Sequence, residues 1–387
     1  MAWTQDGQPR TALWRSERGA PPPKRVVVAN DATTADDAYG LACQGTALLW
    51  RGDFQNARQL LTALAHRMDR AAHKSKRGVG EPAISDAPLG SPAMVASFNR
   101  HRLARSQRAR TLGMLVVELD ADYGIGLRRA PDLRLACREA YGAAHGPSVV
   151  SLRELLGLVG AHEWRTKGID IPATGGRIHP HYGVFAPVRR EYVDLVAQAP
   201  LPAAALAPAS MAFDIGTGTG VLAAVLARRG LARVIATDQD PRALACARAN
   251  IEALGLHDMV DVVHANLFPE GRAALVVCNP PWVPARPSSP LEHGIYDPEG
   301  RMLNGFLTGL AAHLEPGGEG WLVLSDLAEH LGLRTRDALL AAIDAAALRV
   351  VNRTDVRPVH PKVFDAAQPL HAARAAEVTS LWRLAAP

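Results

Sequence analysis

Cysteine is scarce in this 387-residue chain: Cys43, Cys137, Cys246 and Cys278 stand alone, at spacings that form no pair. That excludes a disulfide framework or a paired-cysteine zinc site, and it reads as reduced thiols in a cytoplasmic protein. No apolar run approaches the ~20 residues of a membrane span. The first residues also lack the apolar stretch of a signal peptide. His179 and His181 have no carboxylate or cysteine at ligand spacing, so no metal is expected there. Aromatics make up only 5% of the chain, so one that directly follows a motif stands out. What remains, 48% hydrophobic and 21% charged residues, describes a globular chain long enough for two or three domains.

Charge is unevenly spread. Residues 1–120 hold 17 Lys+Arg against 11 Asp+Glu, a balance of +6 within a net charge of +5. Arg100, Arg102, Arg105, Arg108 and Arg110, with His101, carry part of this excess. On a helix, Arg102 and Arg105, or Arg105 and Arg108, share one face. Such a face is most simply a solvated helix surface; the other reading is a phosphate-binding surface for RNA.

Composition divides the chain into three. Residues 1–94 read as a mixed α/β region, with strands at Arg25–Asn30 and Thr46–Trp50 and a helix capped by Asp53. Its segment near 71–93, rich in Lys, Gly, Pro and Ser, reads as a flexible linker. Residues 95–200 read as a mostly helical substrate-recognition region and connector, with a strand at Met114–Leu119. There Ser151-x-x-Glu154 forms a capping box ahead of Leu152, Leu155, Leu156 and Val159 at helical spacing. Residues 201–387 alternate short apolar runs with Ala-rich helices, which implies a doubly wound, mostly parallel Rossmann-like sheet covered on both faces. Arg349–Asp355 and Glu377–Leu384 read as an antiparallel edge pair. Ligands of such sheets bind at the carboxyl ends of the strands.

Two motifs fall at those ends. Asp214-Ile215-Gly216-Thr217-Gly218-Thr219-Gly220 lets the backbone approach a ligand at a helix N-terminus. Asp238, about twenty residues further on, is placed to accept from two ribose hydroxyls. A glycine turn plus an acid also describes nicotinamide and flavin enzymes. However, Asp214 before the first glycine would repel pyrophosphate and attract a cationic amino-acid moiety. Further on, Asn279-Pro280-Pro281-Trp282 follows the apolar run ending at Cys278. An amide or exocyclic amine nitrogen is a poor nucleophile because its lone pair is delocalised. Acceptors such as the Asn279 side-chain carbonyl and the Pro280 carbonyl can turn that lone pair toward an incoming methyl group. Two prolines stiffen the loop, and Trp282 offers a flat face for an amide or a base. Catalysis of this kind is mostly positioning against a sulfonium donor.

From Ala212 to Trp282 the chain resembles the class I S-adenosylmethionine-dependent methyltransferases. More narrowly, it resembles the HemK-type group, which methylates the glutamine side-chain nitrogen of peptide release factors. The resemblance rests on residues 214–220, Thr-Asp-Gln-Asp-Pro-Arg-Ala-Leu at 237–244, Ala249-Asn250 and residues 279–282, and extends from about Tyr182 to the C-terminus. It implies a seven-stranded methyltransferase sheet with S-adenosyl-L-methionine as cofactor. Asp214, Gly216, Thr217, Gly218 and Gly220 would then hold the methionine part, Asp238 the ribose, Asn266 the adenine, and Asn279 would border donor and acceptor. The chain departs from the family at three places: Asn266 replaces the usual Asp, Trp282 the usual Tyr, and Pro187-Val188-Arg189-Arg190-Glu191-Tyr192 stands where the release-factor enzymes carry Pro-Arg-Pro-Glu-Thr-Glu.

The expected activity is therefore N-methylation of a planar nitrogen, with a protein glutamine as acceptor and a release-factor-like partner. The rival acceptor is adenine N6 or guanine N2 of RNA or DNA, flipped out onto Trp282 and reached through the basic N-terminal region. A third reading is a domain that binds donor or RNA without catalysis. Several residues near the motifs carry two readings. Asp240 reads as a helix cap, Tyr182 and Phe185 as pocket wall or core, and Glu292, His293 and Tyr296 as substrate lid or ordinary loop.

Overall fold

A computed structural model describes residues 1–78, 87–358 and 370–387, without the side chains of 71–78. Part of the expected linker near 71–93 thus lies outside the described residues. The chain forms two compact units, Met1–Pro82 with Asn99–Glu163, and Ala83–Phe98 with Trp164–Pro387.

In the first unit, strands β1 (Ala2–Gln5) and β2 (Gln8–Thr11) form a hairpin. Strands β3 (Leu13–Arg15), β4 (Arg25–Ala29), β5 (Thr46–Trp50), β6 (Leu115–Leu119) and β7 (Ser148–Ser151) make a five-stranded sheet, ordered β3-β7-β6-β5-β4. Its helices are α1 (Ala35–Cys43), α2 (Phe54–Gly78), most of α3 (Pro92–Leu112), α4 (Arg134–Tyr141) and most of α5 (Leu152–Lys167). The region 95–200 is therefore divided between the units and is less helical than its sequence implied. Short β-branched runs, Val116-Val117 and Val149-Val150, are fully buried strands there. Half of the expected capping box forms: the Glu154 amide donates to Ser151 Oγ at 3.4 Å, while its carboxylate accepts from the Glu17 amide and the Tyr141 hydroxyl. The arginine run is helical within α3. Arg108 is committed internally, to the Asp69 carboxylate and the Ala65 carbonyl.

The second unit opens with the pair β8 (Ile169–Ile171) and β9 (Gly176–Ile178), followed by α6 (Glu191–Gln198). Alternation then sets in: β10 (Met211–Ile215), α7 (Val221–Arg228), β11 (Arg233–Asp238), α8 (Pro241–Ala253), β12 (Val260–His264), β13 (Ala273–Cys278), α9 (Arg301–His313) and β14 (Leu314–Ser325). The chain closes with α10 (Leu327–His330), α11 (Arg336–Ala345), β15 (Arg349–Val356), α12 (His371–Ala376) and β16 (Thr379–Ala385). Seven strands form one sheet, ordered β12-β11-β10-β13-β14-β16-β15. The first five are parallel; β16 runs antiparallel to both its neighbours. The two final strands do pair antiparallel as expected, but β16 lies inside the sheet and only β15 forms the edge.

Strand residues alternate between two cores. Ala212 and Val234 join the cluster under α6 and α7, whereas Phe213, Ile215, Val276 and Cys278 join the one under α9 and α11. This two-sided burial is why the strands read as continuous apolar runs.

Candidate active site

Strand register assembles the site. Ile215 pairs with Thr237 on one side and Cys278 on the other, and Thr237 pairs with Val263. The next residues, Gly216, Asp238, Asn279 and His264, thus fall on one row at the carboxyl ends of the strands. The chain crosses from β10 to β11 on one side and reaches β13 on the other, so this row is the topological switch point.

The glycine turn has the left-handed backbone that its residue type allows, with φ +72° at Gly216 and +57° at Gly218. A Cβ at Gly216 would strike the Met302 methyl group, which reaches over the turn from α9. A Cβ at Gly218 would meet nothing within 4 Å, so the Cα of that residue borders open space. Thr217 donates its amide to the Thr237 carbonyl at 2.8 Å, tying the turn to the neighbouring strand end.

Both acids sit on this turn. Asp214 is buried, and its Oδ2 accepts from Thr217 Oγ1 at 2.6 Å and from the Ala223 amide at 3.0 Å. Burial pushes its pKa up to about 6, against these two bonds and with some help from the Asp238 charge. Asp238 accepts from the Gly218 amide at 3.0 Å and the Asp240 amide at 2.9 Å; burial raises its pKa as well. The Asp238 carboxylate, with about four lone-pair positions, keeps acceptor capacity beyond its bonds to backbone amides. Asp240 caps α8 ahead of Pro241, accepting from the Arg242 amide. These features fit a cationic amino-acid moiety at Asp214 and a diol at Asp238. If Asp214 holds a cationic amine, donor affinity should fall about tenfold from pH 7.5 to pH 5 as the carboxylate protonates. Calorimetric titration with S-adenosylmethionine across that range checks this, and Asp214→Asn should flatten the profile.

Asn266 is exposed in the loop after β12, next to Leu267, whose carbonyl accepts from Thr237 Oγ1 at 2.6 Å. Phe268 turns inward and stacks on His313 and Phe306 of α9, with centroids 4.2 and 5.9 Å away. Asn250 of α8 is buried and joins three segments. Its Nδ2 donates to the Thr219 carbonyl at 2.9 Å and to the His179 carbonyl, and its Oδ1 accepts from the His179 amide at 2.7 Å. Asn250→Ala should cost about 2–3 kcal/mol, since it strands buried backbone groups. A melting temperature equal to that of the wild type would contradict this.

In the acceptor loop Pro280 is buried, while Asn279, Pro281 and Trp282 are half-buried. The Trp282 indole N–H donates to Asn279 Oδ1 at 2.8 Å. The Arg189 guanidinium lies over the indole, 5.3 Å from the ring centroid. Trp282 also packs against three buried clusters, so its ring is less open than a free stacking platform. Beyond it, Val283 bridges to Tyr296 and accepts from the Asp297 amide, and Asp297 caps α9 by accepting from Met302 and Leu303. Glu292 and His293 bond within their own loop, to Ser288 and to the Pro290 carbonyl. Tyr182 lies under the Arg242 guanidinium, and Phe185 lies against Gly294. Among the described residues, no three His, Cys, Asp or Glu side chains converge as metal ligands.

Arg189 and Met302 reach the site from two other segments, with no motif to mark them as site residues.

Residues 175–346 match the family model of the methyltransferase small domain. The release factor glutamine methyltransferase of Cereibacter sphaeroides is 33% identical over 167 residues, covering 39% of this chain and 57% of that protein. Its counterpart in Caulobacter vibrioides is 33% identical over 168 residues, covering 40% and 58%. The ribosomal protein L11 methyltransferase of Pelotomaculum thermopropionicum is 49% identical over 74 residues, covering 19% and 24%. The chain thus spans a little over half the length of these glutamine methyltransferases and about a quarter of the L11 enzyme. With this match, residues 175–346 form a class I S-adenosylmethionine-dependent methyltransferase domain, whose sheet runs on through β15 and β16 to Ala385.

Proposed function

We propose that this chain methylates a planar amide nitrogen, with a protein glutamine side chain as acceptor. The observation that carries this reading is the register of Ile215 with Cys278, which brings the glycine turn and Asn279 out of the sheet side by side. Asp214, Gly216, Thr217, Gly218 and Gly220 would hold the amino-acid end of the donor, Asp238 its ribose and Asn266 its adenine. When bound, the sulfonium supplies an electrophilic methyl group. Asn279 Oδ1 has one lone pair engaged by Trp282 and one left for an acceptor N–H. With the Pro280 carbonyl as second acceptor, these oxygens would hold the NH2 group with its lone pair turned toward that methyl group, and the nitrogen, once methylated, would release a proton to solvent.

Two observations favour protein over a flipped base. Arg189 and Asn279 already occupy a face and the N–H edge of Trp282, which leaves less surface for base stacking. The relatives also include enzymes named for protein substrates. The test is incubation with tritiated-methyl S-adenosylmethionine and extract from a strain lacking the gene, followed by protease or nuclease. Label released only by protease is expected. Label released only by nuclease would transfer the site to an RNA or DNA base.

A further inference from the structure

Arg189 lies in the stretch Pro187–Tyr192, where the chain departs from the glutamine methyltransferases. It is tethered at two points. Nε donates to Glu191 Oε1 at 3.2 Å, and Nη1 donates to Glu377 Oε1 at 3.0 Å and Oε2 at 3.3 Å. Both carboxylates are buried, and Ser325 Oγ, at the end of β14, donates to Glu377 at 2.7 Å. Nη2 is buried with no oxygen partner among the described residues, and the indole face of Trp282 is the negative surface available to it. The indole N–H is only a donor, so it must meet the oxygen of the Asn279 carboxamide rather than its NH2 group. One chain of contacts therefore runs from Ser325 through Glu377, Arg189 and Trp282 to Asn279.

We propose that Arg189 is a positioning residue for the acceptor loop: clamped by Glu191 and Glu377, it immobilises Trp282, whose N–H fixes which end of the Asn279 carboxamide faces the reacting nitrogen. This rests on the function proposed above. A tyrosine in place of Trp282 has no indole N–H, so this way of orienting Asn279 goes with the tryptophan. Lysine at 189 keeps the charge between the two carboxylates but loses the planar stack.

The test uses the full chain with Arg189→Lys, Trp282→Phe and the double variant. Methionine at 189 would strand two buried carboxylates and risk unfolding, so lysine is the informative substitution. Methyl transfer into the protein fraction of extract gives the rates, and calorimetry gives donor affinity. The indole N–H resonance of Trp282, assigned by its loss in Trp282→Phe, reports hydrogen exchange without any acceptor. Arg189→Lys should lower kcat about tenfold with KM and donor affinity within about twofold, and should speed exchange of the Trp282 N–H. The double variant should be no slower than Trp282→Phe alone. Wild-type kcat in Arg189→Lys, unchanged exchange, or multiplicative effects in the double variant would overturn the proposal. A wild-type protein that labels no protein acceptor would instead overturn the functional reading, and the exchange measurement would still decide whether Arg189 holds the indole.

Discussion

Replacing Asn279 by alanine should abolish methyl transfer while leaving S-adenosylmethionine affinity within a few-fold. The carboxamide is the polar side chain of the acceptor loop that leaves the sheet beside the glycine turn, in the row with Ile215 and Cys278. Positioning and lone-pair orientation together account for a loss of about 10²–10⁴ in kcat when such a group is removed. Donor binding is assigned to Asp214, Asp238 and the glycine turn, which the substitution does not touch. Alanine also leaves the Trp282 N–H without its 2.8 Å partner, so Asn279→Asp is the necessary companion. Aspartate keeps an acceptor for the indole but changes the charge offered to the amide. Transfer should remain far below wild type in both variants. Single-turnover rates with labelled donor measure this, and a fully active alanine variant would remove Asn279 from the chemistry.

The second large effect is expected at Asp238. Asp238→Ala should raise the donor dissociation constant by about 10–100-fold, the loss of one or two hydrogen bonds to a charged group. Two contributions are combined in that figure. The carboxylate is assigned to the ribose hydroxyls, and it also holds the Gly218 and Asp240 amides at 3.0 and 2.9 Å. Asp238→Asn separates them, because its single carbonyl can serve a backbone amide but cannot accept from both hydroxyls as well. Affinity for adenosine alone should fall with affinity for the whole donor in both variants. If only the whole donor is weakened, the carboxylate acts through the glycine turn and the ribose assignment fails.

In the arginine run, composition and tertiary structure each decide a different property. Its charge and helical spacing are plain in the sequence, and α3 is indeed a helix. Whether its charges are available is a tertiary matter: Arg108 is held by Asp69 and the Ala65 carbonyl of α2. An interface built on counting arginines would have included it.

By itself the sequence determined what local physics controls. Runs such as Met211–Ile215 and Ala273–Cys278 became strands because their apolar side chains need burial on both faces. Gly216 and Gly218 form the turn because glycine, without a Cβ, tolerates its left-handed backbone, and Asp240-Pro241 starts α8 because a side-chain oxygen accepts from its first turn and proline presets φ. The alternation of these elements implied the doubly wound sheet and, through it, the end at which ligands bind. Tertiary structure decided the rest. It placed β16 between β14 and β15, set Met302 over Gly216, turned Phe268 onto α9, and brought Arg189 to Glu377 across 188 positions of chain. None of these has a period or a spacing, because each is a contact between segments whose meeting depends on the register and packing of everything between them.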